Sequence, residues 1–162
     1  MHVERISGGL SIDLASEEDT SRLGRAVASV AERGVVIALV GPLGAGKTHL
    51  VRAIAESRGV DPAVISSPTF VLIHEYDGEI PICHVDAYRL DDPAAFEDLG
   101  IADYFGGEWL ALIEWADRVQ RALPPDAWWI HLPLTGPTSR RARFDSPPAR
   151  RDVIERLAML LA

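Results

Sequence analysis

Val35-Val36-Ile37-Ala38-Leu39-Val40-Gly41-Pro42-Leu43-Gly44-Ala45-Gly46-Lys47-Thr48 is the stretch on which the fold turns. An unbroken apolar run rich in β-branched residues has the pattern of a strand covered on both faces. It leads straight into a glycine loop, and residues 47–58 then return to a helical period that stops at Gly59. Gly41, Gly46, Lys47 and Thr48 satisfy G-x-x-x-x-G-K-[ST], the Walker A pattern. Each position has a chemical reason. Backbone N–H groups of Gly41, Leu43, Gly44, Ala45 and Gly46 can converge on a polyphosphate without side chains intervening, and the helix start adds its positive dipole end. Lys47 is expected on the β- and γ-phosphates, and the Thr48 hydroxyl on Mg²⁺.

Working outward, residues 3–14 read as a strand or hairpin. A helix is expected from Ser16 to about Arg33, with Ser16 as N-cap, Asp19 at N3 and Gly34 as terminator. Downstream, residues 69–76 and 82–86 read as antiparallel strands around Asp77-Gly78, a dipeptide favoured in tight hairpin turns. Asp92-Pro93 opens a short helix through Leu99, and residues 109–113 form a second apolar strand ending at Glu114. A short helix at 117–122, a strand at 128–132, an Arg-rich segment and a final helix from about Pro148 complete the pass. The expected fold is α/β: a three-layer P-loop NTPase-like sandwich with a mixed, mainly parallel sheet and an antiparallel hairpin. Residues 1–162 are expected to form one domain.

The composition, 48% hydrophobic and 25% charged, is that of an ordinary globular chain and disfavours disordered or fibrous classes. No apolar run reaches the roughly 20 residues of a bilayer span, and the N-terminus lacks a leader pattern, so a cytoplasmic protein without membrane partners is expected. One cysteine, Cys83, has no disulfide partner within the chain and argues against structural zinc. The net charge of −8 disfavours autonomous binding to a phosphate backbone, although the segment from Ser139 onward is basic, with six arginines against three acids. Of the 16 basic residues only Lys47 is lysine, so the compact ammonium stands where a point charge on a flexible stem is needed. With no second lysine, the N-K-x-D type of guanine recognition is absent, and ATP is the expected nucleotide.

A phosphate loop with magnesium needs a further acid and a group that orients the attacking oxygen. Asp86 and Glu114 each end an apolar strand, where a parallel sheet delivers side chains to its C-terminal edge. Glu114, with the cleaner apolar lead-in, is favoured as the inner or water-mediated magnesium ligand, and Asp86 as the group that polarises water or completes the shell; the reverse assignment stays open. The expected catalytic set is Lys47, Asp86 and Glu114, and the expected metal set Thr48, Glu114 and Asp86. His84 reads as an oriented strand histidine and not as a ligand. Thr69 either senses the γ-phosphate as a switch residue or simply starts its strand, and Trp115 either shields the site or packs in the core.

Ser67-Pro68-Thr69-Phe70 followed by Leu72 and Glu75-Tyr76, then His84-Val85-Asp86-Ala87-Tyr88-Arg89-Leu90, Glu97, Leu99-Gly100 and Glu114-Trp115 stand in an order and spacing that carry a resemblance. Together with the Walker A match they resemble the bacterial TsaE (YjeE) family, P-loop ATPases of tRNA threonylcarbamoyladenosine (t6A) biosynthesis, over nearly the whole chain. Ala116 stands where relatives commonly carry proline. The resemblance implies a partner of a TsaD/TsaB-type complex that uses ATP hydrolysis, slow on its own, to reset that complex, with tRNA contacted only indirectly. It also implies Mg²⁺ at Thr48 and Glu114, a catalytic Asp86, and Glu17 and Arg140 bordering the adenine or ribose. Two other readings are carried: a P-loop small-molecule kinase with an arginine lid at residues 140–143, and a nucleotide-binding interaction module with negligible hydrolysis.

Overall fold

A computed structural model describes residues 1–66, 72–90 and 92–162. In chain order these form β1 (His2–Ile6), β2 (Gly9–Leu14), α1 (Glu17–Val30), β3 (Val36–Val40), α2 (Lys47–Ser57), β4 (Ile73–Tyr76), β5 (Ile82–Asp86), α3 (Pro93–Asp98), β6 (Leu110–Glu114), β7 (Trp128–His131), β8 (Arg140–Asp145) and α4 (Arg151–Leu161). The strands make one mixed sheet, ordered β1-β2-β8-β7-β3-β6-β5-β4. Its centre, β7-β3-β6-β5, is parallel, while β4 pairs antiparallel with β5, and β8, β2 and β1 extend the other edge antiparallel.

The strict alternation of a strand divides the core in two. Ile37, Leu39, Leu110, Leu112 and Ile82 face a layer built from α1, α2 and α4, where Leu23, Val27, Leu50, Ile54 and Leu157 are buried. Val36, Ala38, Ala111, Ile113, Cys83 and Val85 face the opposite layer, with Phe96 of α3 and with Ile101 and Val119 from 3₁₀ turns. Helices on both faces of a parallel centre give the three-layer α/β sandwich. No helix among the described residues is long and apolar enough to cross a membrane.

Several boundaries differ from the sequence pattern for local reasons. α1 is capped as expected, the Asp19 N–H donating to Ser16 Oγ at 3.2 Å, but it ends at Val30. Gly34, at φ +83°, instead serves the entry into β3, where its N–H donates to the Trp109 carbonyl at 2.8 Å. Asp77-Gly78 does not make a two-residue turn. The connection runs over residues 77–81, and Gly78 is there for space, since a Cβ would lie 2.6 Å from the Arg58 carbonyl oxygen. The expected short helix near residue 117 is a pair of 3₁₀ turns, Ala116–Ala122, broken at Val119. The Arg-rich segment is strand β8, whose Arg141 and Arg143 are exposed while Ala142 and Phe144 are buried. Dense charge on one face obscured a period of two.

Candidate functional site

The loop between β3 and α2 takes its shape from glycines where other residues would be strained. Gly44 and Gly46 lie at φ +78° and +96°, a region that costs L side chains about 1–2 kcal/mol. At Gly41 a Cβ would meet the Leu132 carbonyl oxygen at 2.9 Å. The Ala45 N–H donates back to the Pro42 carbonyl at 3.1 Å, closing the turn. α2 then starts at Lys47 with no side chain capping its first turn, so its leading N–H groups face outward as an anion site. Arg140 of β8 braces the loop from outside, donating from Nε to the Ala45 carbonyl and from Nη2 to the Gly44 carbonyl, both at 2.9 Å. Sequence reading did not anticipate these contacts.

Lys47 is held within the loop. Its Nζ donates to the carbonyls of Gly41 at 2.6 Å and Pro42 at 2.9 Å and lies 3.9 Å from the centroid of the Trp115 ring. Burial pulls the ammonium below its usual range, against the charges of Glu114, Asp86 and Asp117. Trp115 itself sits at φ +56°, the one non-glycine residue with positive φ among the described residues. Such a conformation persists where the surroundings hold it. Here the Tyr88 ring packs on the indole at 4.8 Å and the Arg118 guanidinium lies 4.9 Å from Tyr88.

Register brings the two acids together. Asp86 and Glu114 are direct partners on the parallel β5–β6 pair, and both share the strand face of Ile82 and Leu110, toward α2. Glu114 is 2% exposed. Its Oε1 accepts from Thr48 Oγ1 at 2.8 Å, and its Oε2 meets His84 Nε2 at 2.7 Å. Asp86 Oδ1 accepts the Tyr88 N–H at 2.9 Å. Burial raises the Asp86 carboxyl above the usual aspartate range, the neighbouring Glu114 charge adds to this, and the Tyr88 N–H works against it.

These groups open onto a cavity of about 380 Å³, walled by Glu17, Leu43, Lys47, Asp86, Glu114 and Arg140 among others. Glu17, at the start of α1, and Arg140, from β8, therefore reach the same space as the glycine loop. Thr69 lies outside the described residues. Tyr76 and Tyr88 stood in the sequence only as parts of the family motifs, with no role assigned at the site. The aromatic at a core-facing hairpin position, two residues from His74 and opposite Ile82, was the available signal for Tyr76.

The family model for the threonylcarbamoyl adenosine biosynthesis protein TsaE matches residues 14–142, which contain every element of this cavity. The chain belongs to the TsaE family. The TsaE of Bacillus subtilis is 36% identical over 138 residues, covering 85% of each chain. That of Treponema pallidum is 39% identical over 109 residues, 67% of this chain and 80% of the relative. The crystal structure of B. subtilis YdiB superposes with a TM-score of 0.77 at 28% identity, covering 98% of this chain and 97% of that one. The TsaE family ties the chain to tRNA threonylcarbamoyladenosine biosynthesis, and the P-loop-like fold fits nucleotide binding.

Proposed function

We propose that this protein binds ATP with magnesium and hydrolyses it to support t6A formation, acting on a TsaD/TsaB-type complex. The observation that carries the reading is the Thr48 hydroxyl lying 2.8 Å from Glu114 Oε1, at the first turn of the helix that begins with Lys47. Two oxygens of different side chains at that spacing, with Asp86 beside them on the next strand, form a hard donor set suited to Mg²⁺. Among the described residues no three His, Cys, Asp or Glu side chains form a group that could hold a metal ion. The set therefore suits a cation that takes its remaining ligands from phosphate and water, as magnesium does.

The chain's own residues divide the work. Amides of Gly41, Leu43, Gly44, Ala45 and Gly46 cradle the phosphates. Lys47 would exchange its two loop carbonyls for phosphate oxygens; Thr48 would offer an oxygen lone pair to a bound Mg²⁺ while its O–H keeps donating to Glu114, and Glu114 would hold the metal directly or through water. Asp86 orients the attacking water, with Glu17 and Arg140 bordering the base or ribose. A kinase-type arginine lid finds no support. Arg140 is committed to the loop carbonyls, Arg141 donates to Asp13 at 2.7 Å and Arg143 to Asp145 at 3.0 Å.

Calorimetric titration of ATP, with and without magnesium, tests the reading. Removing the Lys47 ammonium in Lys47→Ala deletes charge-assisted hydrogen bonds of about 1.5–3 kcal/mol each, so affinity should fall by at least about 100-fold. Phosphate release should rise when the TsaD/TsaB-type complex is added. Absence of magnesium-dependent affinity for ATP in the unaltered protein would overturn the proposal.

A further inference from the structure

We infer that His84 and Tyr76 are positioning residues that hold the Glu114 carboxylate in its metal-facing orientation, an inference that rests on the nucleotide reading above. His84 is fully buried on β5 and lies on the α2-facing side, between Ile82 and Asp86 and opposite Leu112 of β6. An apolar side chain would suit that position. A buried imidazole is retained only at a cost unless both nitrogens are matched, and both are: Nε2 meets Glu114 Oε2 at 2.7 Å and Nδ1 meets the Tyr76 hydroxyl at 3.1 Å.

The line continues in both directions. The Tyr76 hydroxyl lies 3.1 Å from both the Ser66 carbonyl and His84 Nδ1 and so bridges the imidazole to the 62–66 segment. At the other end Glu114 Oε1 takes the Thr48 hydroxyl. The segment that ends at Ser66 is itself tied to α2, because Arg52 donates to the Ile65 carbonyl at 2.6 Å and to the Pro62 carbonyl at 3.2 Å. Thr48 and Arg52 are four residues apart and share one face of α2. The hydrogen bonds therefore close a ring that leaves the helix at Thr48, passes through Glu114, His84, Tyr76 and the 62–66 segment, and returns to the same helix at Arg52.

The chemical consequence concerns one bond rotation. With Oε2 tied to His84, Glu114 presents Oε1 alone toward Thr48. Without that tie the carboxylate is free to turn both oxygens toward the Thr48 side or toward the Lys47 ammonium. Partners of this kind, one step removed from a metal, typically cost 10–100-fold in metal affinity when lost. The phosphate cradle itself contains neither His84 nor Tyr76, so the grip on nucleotide without metal should be spared.

The test compares ATP affinity with and without magnesium in the full chain carrying His84→Leu, His84→Gln or Tyr76→Phe. His84→Leu should bind metal-free ATP within about twofold of the unaltered protein, while its magnesium-dependent gain in affinity falls by about 10–100-fold. His84→Gln, which can still donate to Glu114, should recover most of that gain, and Tyr76→Phe should fall between. Should His84→Leu fail to fold, Tyr76→Phe fills nearly the same volume and carries the test. A full magnesium gain in folded His84→Leu or Tyr76→Phe overturns this inference alone, and so does an equal loss of metal-free affinity. An unaltered protein that does not bind ATP overturns the nucleotide reading and this inference with it.

Discussion

Replacing Glu114 with glutamine and, separately, with alanine distinguishes the two duties of one carboxylate. Alanine removes a group that is 2% exposed and leaves the fully buried His84 Nε2 and the half-buried Thr48 hydroxyl without their partner. Each stranded buried group costs about 1–3 kcal/mol, and Thr48 regains some of this from water, so a loss of about 2–4 kcal/mol is expected. For a chain of this size 1 kcal/mol shifts the midpoint by about 2–4 °C, which places the Glu114→Ala transition roughly 5–15 °C lower. Glutamine keeps the shape. Its amide can donate to His84 Nε2 in the tautomer that carries its proton on Nδ1, and its carbonyl can accept from Thr48, so no group is stranded. The expected cost is below about 1 kcal/mol. Yet the neutral amide cannot supply the charge that a magnesium shell requires. Thermal unfolding should therefore separate alanine from glutamine, while calorimetry should find both without a magnesium-dependent gain in ATP affinity. Equal destabilisation by the two substitutions would refute the hydrogen-bond argument, and normal magnesium dependence in Glu114→Gln would refute the metal assignment.

Asp86→Asn addresses the neighbouring acid through pH. Because burial raises the folded carboxyl above its ordinary 3.8, the folded state keeps its proton to higher pH than the unfolded chain. Stability contributed by this group therefore declines as pH rises through that window, and the ionised form remains a cost above it. Asparagine can keep the acceptor for the Tyr88 N–H, so Asp86→Asn should unfold at a higher temperature than the unaltered protein at neutral pH, with no hydrolysis, and the gap between the two should shrink as pH falls through the Asp86 titration. A lower midpoint at neutral pH would contradict this account. Cys83 offers a third check. Its thiol is buried in the α3-side core and pushed up to about 12 by that burial, so thiol reagents at neutral pH should label it only after unfolding. Rapid labelling of the native protein would show that the layer around Phe96 and Val119 opens locally.

The parts of the site legible in the sequence are those made by local chain geometry. Gly44 and Gly46 mark left-handed turns, Lys47 and Thr48 begin the helix, and two apolar runs end in acids. Each depends on residues adjacent in the chain. The pairing of Asp86 with Glu114 was foreseeable because parallel strands carry their C-terminal residues to a common edge. Strand β8 was missed because its inward pair, Ala142 and Phe144, is interleaved with arginines that read as a charged segment. Only the neighbouring strands, β2 and β7, make that alternation a sheet edge.

By itself, then, the amino-acid sequence determined a strand, a glycine loop and a helix built to receive phosphate, a lone ammonium placed at the loop, and the family to which the chain belongs. Tertiary structure alone decided what the loop and the acid touch. Arg140 reaches Gly44 across 96 positions of chain and Thr48 meets Glu114 across 66. His84 finds Tyr76 only through the register of β4 on β5. Hydrogen bonds of this kind depend on angles and on distances of about 3 Å, and those are set by how strands and helices pack, a quantity that no local pattern of residues contains.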